Sequence, residues 1–196
     1  MAVRAVFLDR DGTINTEEDF LSNPELLRFE KRAVEGLRLL AEAGFRLVVV
    51  SNQSGVARGL FDEEAVRDVN SRLEEMLRQE DIEIAAFYYC PHHPAGTVPE
   101  YTRVCPCRKP APGLFTQASK DLDIDPAASY AVGDRARDLE AGRRVGARTV
   151  LVLTGYGGKD EPVVQEMKFA NHIASDLEDA ARWIIADSET GGGGDS

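Results

Sequence analysis

The sequence predicts an α/β fold in which a doubly wound, mostly parallel sheet carries helices on both faces. The main observation is that short, almost uninterrupted apolar segments alternate with segments of helical spacing. A second observation is that several apolar segments end at polar or glycine-containing junctions. The 196 residues can bury a sizeable core. We expect one domain over residues 1–187.

Five apolar segments rich in β-branched residues predict the strands. They are residues 3–8, 46–50, 84–89, 129–132 and 149–153. Residues 90–112 are rich in proline, glycine and cysteine and follow neither a strand nor a helix period. We expect a long loop there.

Apolar residues at helical spacing predict five helices. They cover residues 31–43, 62–79, 113–121, 136–144 and 176–186. Gly44 is a stop signal after the first helix, and Asp62 is placed to cap the second. Residues 188–196 are rich in glycine and have little to pack, so we expect a disordered tail.

The charge balance excludes some classes of partner. Lys and Arg total 23 against 34 Asp and Glu, a formal net charge of −11. This argues against nucleic acid or an anionic membrane as a partner, because both bind extended basic surfaces. A small phosphorylated molecule remains compatible if cations gather locally. No apolar segment approaches the ~20 residues of a membrane span, and no secretory pattern is present. We expect a cytoplasmic enzyme that acts as a monomer.

Asp9 and Asp11 are the most informative residues, because they follow the first predicted strand and precede Gly12. Residues i and i+2 of an extended segment point to the same side, so both carboxylates can address one site. Adjacent carboxylates repel each other, and a divalent cation relieves that repulsion. One carboxylate can then act as a nucleophile while the other handles a proton. An ordinary Asp-Gly surface turn is the alternative.

Polar groups follow two further strands. Because the carboxyl ends of parallel strands meet at one edge, we expect Ser51 and Asp134 to lie near Asp9. Asp134 would add a third carboxylate suited to Mg²⁺, or simply cap the next helix. Ser51 and nearby backbone N–H groups can bind phosphate, or form a plain polar loop. Arg108 and Lys109 are expected to clamp phosphate, the alternative being solvated surface cations.

All three cysteines are close together in sequence, with two histidines beside the first. Cys90 and His92 form a Cys-x-His pair, and Cys105 and Cys107 form a Cys-x-Cys pair. Four nitrogen and sulfur donors suit a structural tetrahedral Zn²⁺, which can contribute on the order of 10 kcal/mol to ordering a loop. His93 is an alternative to His92. A Cys105–Cys107 redox pair and free buried thiols are the rival readings. We call residues 90–107 the zinc loop.

These motifs together resemble a known family. The haloacid dehalogenase superfamily of phosphohydrolases has four motifs, matched here by Asp9-x-Asp11-Gly12-Thr13, Ser51, Lys109 and Gly133-Asp134-x-x-x-Asp138. The match spans residues 7–138 in the right order. The resemblance implies a haloacid dehalogenase-like core without a large cap.

The resemblance also implies roles for individual residues. Asp9 would be the nucleophile that forms an aspartyl-phosphate, and Asp11 would protonate the departing oxygen and then activate water. Ser51 and Lys109 would neutralise the transferring phosphoryl group. Mg²⁺ would be bound by Asp9, the Asp11 backbone carbonyl and Asp134. Asp138 would support the catalytic residues without contacting the substrate itself.

Within this superfamily the zinc loop resembles the group that removes the 7-phosphate of D-glycero-D-manno-heptose 1,7-bisphosphate on the route to lipopolysaccharide. Residues 8–15, 52–59, 88–94 and 107–110 carry that likeness. The substrate-binding residues it implies are Glu17, Glu18, Asp19, Phe20, Ser51, Asn52, Gln53, Ser54, Arg108, Lys109 and Arg135. Phe20 departs from the tyrosine expected there, and Ser51 replaces a common threonine with its hydroxyl preserved.

Three other functions are less compatible with the sequence. Histidinol-phosphate phosphatases share the core and a similar zinc loop, but they resemble this chain less around Ser54 and residues 57–59. A phosphorylated receiver domain expects its acceptor aspartate after the third strand, where Tyr89 and Cys90 stand. A catalytically inactive, zinc-stabilised binding module is disfavoured because every expected catalytic group is present.

Overall fold

The computed structural model describes residues 3–191 and contains one six-stranded sheet, all parallel, in the order β3-β2-β1-β4-β5-β6. The strands are β1 (Ala5–Leu8), β2 (Arg46–Asn52), β3 (Ala86–Cys90), β4 (Tyr130–Gly133), β5 (Arg148–Val152) and β6 (His172–Ala174). The α-helices are α1 (Ala33–Glu42), α2 (Glu63–Arg78), α3 (Gly113–Asp121), α4 (Ala136–Arg144), α5 (Gly157–Glu166) and α6 (Leu177–Gly191). The doubly wound fold is therefore confirmed. Across residues 3–191, no helix combines the length and apolar character of a membrane span.

Two elements were missed by the sequence analysis. Helix α5 contains Pro162 and begins with two glycines, so its helical signal is weak. Strand β6 has only three residues. The predicted tail also begins too early, because residues 188–191 continue α6. There Ser188 Oγ donates to the Ile185 carbonyl at 2.8 Å and Thr190 Oγ1 donates to the Asp187 carbonyl at 2.9 Å. Residues 192–196 lie outside the described part of the chain.

The two faces of the sheet bury different cores, because side chains alternate along each strand. Val6 and Leu8 of β1 face a large cluster that includes side chains of α1, α2 and α6. Phe7 and Val50 face the opposite cluster with Leu114 and Phe115 of α3. The central strands β1 and β4 are buried on both sides, as their nearly continuous apolar sequences predict, whereas the edge strands β3 and β6 are mostly half-buried.

The strand order places a crevice at the carboxyl edge of the sheet. The chain winds in one direction from β1 to β3 and in the other from β4 to β6, so the connections diverge between β1 and β4. Leu8 of β1 pairs with Val132 of β4 and with Val49 of β2. This register places Asp9, Asp134 and Ser51 at one edge of the sheet.

Gly36 sets the closest approach of α1 to α6. A Cβ at this position would lie 2.5 Å from the backbone carbon and oxygen of Leu177, where α6 begins. The Gly36→Ala variant should therefore lose about 1–3 kcal/mol of unfolding free energy, despite the better helix propensity of alanine. Urea denaturation measures this loss.

Gly158 is the matched control, because it also lies in a helix but a Cβ there would meet nothing within 4 Å. Gly158→Ala should leave stability unchanged or raise it by about 0.5–1 kcal/mol. Equal effects of the two substitutions would contradict close packing of α1 on α6.

Candidate active site

A buried ammonium group lies between two carboxylates at the carboxyl edge of the sheet. Lys109 Nζ is 2.9 Å from Asp9 Oδ1 and 2.8 Å from Asp138 Oδ1, and it donates to the Val50 carbonyl at 2.7 Å. All three charged side chains are buried. Burial alone would lower the pKa of Lys109, but the charges of Asp138 and Asp9 outweigh it and raise this pKa. Lys109 is thus a stable cation beneath Asp9.

The backbone of Lys109 is held by Asn52 at the end of β2. The Asn52 side chain donates from Nδ2 to the Lys109 carbonyl and accepts at Oδ1 from the Lys109 N–H, each at 3.0 Å. Asn52 therefore positions Lys109 in addition to lining the cleft described below. Ser51 is buried beside it, and its Oγ lies 3.4 Å from Gln53 Nε2.

Asp11 is turned toward a fully buried arginine that the sequence analysis did not single out. The Arg10 guanidinium donates to both carboxylate oxygens of Asp11 at 2.9–3.2 Å and to Asn70 Oδ1 at 2.9 Å. Asn15 and Gln53 each donate to Asp11 at 2.9 Å. Burial favours a raised pKa for Asp11, but the Arg10 charge and these hydrogen bonds outweigh it and lower the pKa. Asp11 is therefore held as a carboxylate in this arrangement.

The acidic residues that converge are Asp9, Asp134 and Asp138, each offering an oxygen within 4.8 Å of the others. The metal ligands expected from the sequence are Asp9, Asp134 and the backbone carbonyl of Asp11, so Asp138 is an additional carboxylate in this cluster. Burial, followed by repulsion from Asp138, raises the pKa of Asp9 to about 6. Burial, followed by repulsion from Asp138 and Asp9, raises the pKa of Asp134 to about 8. These carboxylates repel one another when they are ionised, and a bound cation would reduce that repulsion.

Asp134 has the free ligand atom that a metal site requires. Its Oδ2 accepts from the Tyr156 N–H at 2.7 Å, whereas Oδ1 is buried without a hydrogen-bond partner anywhere in residues 3–191. Asp138 is already engaged by Lys109 and by the Arg135 N–H. Asp9 and Asp134 are therefore the side chains that fit Mg²⁺, a cation that prefers a few carboxylates plus water and phosphate.

The loop between β5 and α5 packs directly against the Asp9–Gly12 turn. Thr154 Oγ1 donates to the Gly12 carbonyl at 2.7 Å. Gly12 has a φ of 79°, and a Cβ there would lie 2.3 Å from Asp134 Oδ2 and 3.2 Å from the Gly155 Cα. Only glycine fits this close approach. The sequence analysis missed this loop because it has no strong period.

A cleft of about 290 Å³ opens above Asp9. It is lined by Asp9, Asp11, Glu17, Asp19, Phe20, Asn52, Gln53, Ser54, Arg58, His93, Arg108, Arg135, Arg137 and Tyr156. Of the residues predicted to bind substrate, Glu18 is exposed and lies outside this lining. Ser51 and Lys109 are buried beneath the lining rather than in it.

Four lining residues were not predicted as substrate contacts. They are Arg58, His93, Arg137 and Tyr156. Arg58 and His93 lie within the segments that resemble the family, so this resemblance could have predicted them as substrate contacts. Arg137 and Tyr156 follow β4 and β5, and a rule that weighs every residue just after a strand end would have found them. With Arg108 and Arg135, the cleft gathers several cations in a strongly acidic chain, which suits a phosphorylated ligand.

Glu17 also faces this cleft and is half-buried. Burial, together with the charges of Asp11, Asp9 and Asp19, raises its pKa to about 7. The cleft therefore combines an acidic floor with cationic walls.

The zinc loop brings three of its four predicted ligands together. Cys90, His92 and Cys105 each offer a ligand atom within 4.8 Å of the others, and Cys90 Sγ lies 3.6 Å from His92 Nδ1. Cys107 is adjacent, with its N–H donating to Cys105 Sγ at 3.4 Å, but its own sulfur is outside that set. All three cysteines are free thiols. His93 instead lines the cleft, where Arg58 lies 3.3 Å from its Nε2.

This donor set fits Zn²⁺. Burial raises the pKa of Cys90 to about 12, and the charges of the neighbouring thiols add to this effect. Such crowded thiols are protonated without a cation, and a bound metal reverses this by stabilising thiolates. The zinc loop also reaches the cleft, because Arg108 donates to the His92 carbonyl at 3.3 Å.

Comparison with known proteins identifies relatives along almost the whole chain. The family model described as HAD-hydrolase-like matches residues 106–180. The D-glycero-beta-D-manno-heptose-1,7-bisphosphate 7-phosphatase of Escherichia coli strain K12 is 40% identical over 185 residues, covering 94% of this chain and 89% of the relative. The corresponding phosphatase of Chlorobaculum tepidum is 38% identical, covering 96% of this chain and 98% of the relative.

A solved structure agrees with these sequence matches. The D,D-heptose 1,7-bisphosphate phosphatase from B. bronchiseptica, complexed with magnesium and phosphate, superposes with a TM-score of 0.83. It is 31% identical, and the match covers 94% of this chain and 99% of that one. The chain therefore belongs to the haloacid dehalogenase superfamily of hydrolases, within the family of the heptose bisphosphate phosphatases.

Proposed function

We propose that this enzyme removes the 7-phosphate of D-glycero-D-manno-heptose 1,7-bisphosphate through an aspartyl-phosphate on Asp9. The observation that carries this proposal is the buried Lys109 that binds both Asp9 and Asp138 under a cationic cleft. A nucleophilic carboxylate fixed from below, with a free carboxylate oxygen of Asp134 nearby, is an arrangement suited to phosphoryl transfer. The relatives named for this substrate support its identity.

In the first step a carboxylate oxygen of Asp9 attacks the phosphorus, and the bond from phosphorus to the sugar oxygen breaks. Lys109 holds Asp9 in one orientation, so little reorganisation is needed during attack. The cleft arginines orient the dianionic phosphate. Asp9 and Asp134 would hold Mg²⁺, which supplies positive charge that offsets repulsion between the phosphate and these carboxylates.

Asp11 is the proposed proton donor to the departing sugar oxygen. In the present arrangement Arg10 keeps it ionised. A bound phosphate would add negative charge beside Asp11 and raise its pKa, which favours proton uptake. In the second step water attacks the phosphorus of the aspartyl-phosphate and Asp11 accepts the water proton. The bond from phosphorus to the Asp9 oxygen breaks, which restores the Asp9 carboxylate and releases inorganic phosphate.

We assign Zn²⁺ a structural role at Cys90, His92, Cys105 and Cys107. The zinc loop leads directly into Arg108 and Lys109, so ordering it positions both cations. The proposal has three further parts that rest on the family likeness. They are a cytoplasmic location, a monomeric state and a place in lipopolysaccharide precursor synthesis.

Substitution of the nucleophile tests the proposed activity. Asp9→Asn should lower the Mg²⁺-dependent release of phosphate from the heptose bisphosphate by about 10³-fold or more, because an amide cannot form the acyl-phosphate. Phosphate release is measured with both heptose bisphosphate anomers and with histidinol phosphate as the competing substrate.

The exposed Asp68→Asn on α2 is the matched control and should retain wild-type rates. Normal turnover by Asp9→Asn would refute the nucleophile. Preference of the wild-type enzyme for histidinol phosphate would refute the substrate, although the comparisons do not favour that alternative.

Adjacent histidines provide a matched test of the zinc site. His92→Gln should lower zinc content and the melting temperature, because it removes a donor that lies 3.6 Å from Cys90 Sγ. His93→Gln should retain zinc, because His93 faces the cleft. Metal analysis of the purified variants distinguishes them, and zinc loss in His93→Gln alone would reverse the ligand assignment.

A further inference from the structure

Tyr156 joins the metal-binding carboxylate to the opening of the cleft. It stands between β5 and α5, in the loop that packs on the Asp9–Gly12 turn. Its backbone N–H donates to Asp134 Oδ2 at 2.7 Å, so its main chain is fixed at the floor of the site. Its side chain lines the cleft.

The phenol of Tyr156 reaches a segment that has no regular secondary structure. Its hydroxyl donates to Asp19 Oδ1 at 2.9 Å, across a large separation in sequence. Asp19 belongs to residues 16–20, which contain neither helix nor strand and of which Glu17, Asp19 and Phe20 line the cleft. The hydrogen bond to Asp19 raises the pKa of Tyr156, so the phenol remains a donor.

Two cations hold the tyrosine ring in place. The guanidinium carbon of Arg135 lies 4.3 Å from the ring centroid, and Lys159 Nζ lies 4.9 Å from it. Arg135 is itself paired with Asp160 at 3.4 Å. Cation–π contacts of this kind restrict the ring without using its hydroxyl, which remains available for Asp19.

The segment that carries Asp19 needs an external anchor. The next residue, Phe20, has a φ of 68°, in the left-handed region that non-glycine residues adopt only where their surroundings hold them. The Phe20 side chain is exposed, and its ring lies 5.8 Å from the Arg58 guanidinium carbon on the cleft wall. The bond from Tyr156 is the side-chain hydrogen bond that fixes Asp19, whose Oδ2 has no hydrogen-bond partner within residues 3–191.

We infer that Tyr156 is a positioning residue for substrate specificity: it fixes Asp19 at the cleft so that the free Asp19 oxygen accepts a hydroxyl of a polyhydroxylated sugar phosphate. This inference rests on the proposed function and extends it. A phosphomonoester without sugar hydroxyls has no group for Asp19 to bind, so the contact discriminates between phosphorylated polyols and simple phosphate esters.

The test is Tyr156→Phe, which removes one hydroxyl and keeps the ring. The KM for the heptose bisphosphate should rise about fivefold to tenfold, as expected for the loss of one hydrogen bond between partly exposed groups, with kcat changed less than about twofold. Kinetics with p-nitrophenyl phosphate should not change. Asp19→Ala should raise the KM for the sugar similarly, and the double variant should be no worse than either single variant.

Tyr130→Phe is the matched control, because its hydroxyl also donates to a carboxylate, Asp187, at 2.7 Å, in a region apart from the cleft. It should leave both KM values unchanged.

An unchanged sugar KM in Tyr156→Phe would overturn the inference. Equal losses on both substrates would also overturn it, because they would indicate an effect through Asp134. Failure of the wild-type enzyme to hydrolyse the heptose bisphosphate would instead refute the proposed function, and the inference with it.

Discussion

Lys109 places its ammonium group inside the protein, where it contacts Asp9, Asp138 and the Val50 carbonyl. A buried charge is costly unless it is paired and hydrogen-bonded, and this one satisfies all of its donors. The same contacts hold Asp9 against the end of β1. The rest of the site follows from this constraint. The Lys109 ammonium and the Arg137 guanidinium, which lies 4.0 Å from Asp138, face three buried carboxylates once Asp134 is included. The excess negative charge is what makes a divalent cation chemically appropriate there.

Several distant segments support this one side chain. Asn52 forms hydrogen bonds with both the N–H and the carbonyl of Lys109. The zinc loop ends shortly before Lys109 in the sequence. On the opposite side of Asp9, the β5–α5 loop contacts Gly12 and Asp134. Disorder in any of these segments would change the position of Asp9, because each segment is connected to Asp9 by a short chain of hydrogen bonds. A metal bound in the zinc loop would therefore be linked mechanically to the proposed chemistry at Asp9 without sharing a ligand with it.

Much of the edge that carries the site could be predicted, because strand periodicity and parallel winding do not depend on side-chain detail. Asp9, Ser51 and Asp134 were placed together on that basis alone. The orientation of Asp11 could not be predicted, since it depends on Arg10, which is positioned in turn by Asn70 from α2. Helix α5 was missed because Pro162 and its glycines weaken the helical pattern. The contact between Tyr156 and Asp19 joins residues far apart in sequence, and no local pattern encodes it.

The proposed mechanism requires Asp9 to receive the phosphoryl group. The most direct measurement is to quench the Asp11→Asn variant in acid during turnover with Mg²⁺ and map the phosphorylated peptide by mass spectrometry. The substrate is p-nitrophenyl phosphate, whose leaving group departs without the proton that Asp11 would donate in the first step. Loss of the proton acceptor should then slow only the attack of water, so a phosphoryl group is expected on the peptide that contains Asp9. A phosphoryl group on any other residue, or none in either this variant or the wild-type enzyme, would contradict the mechanism.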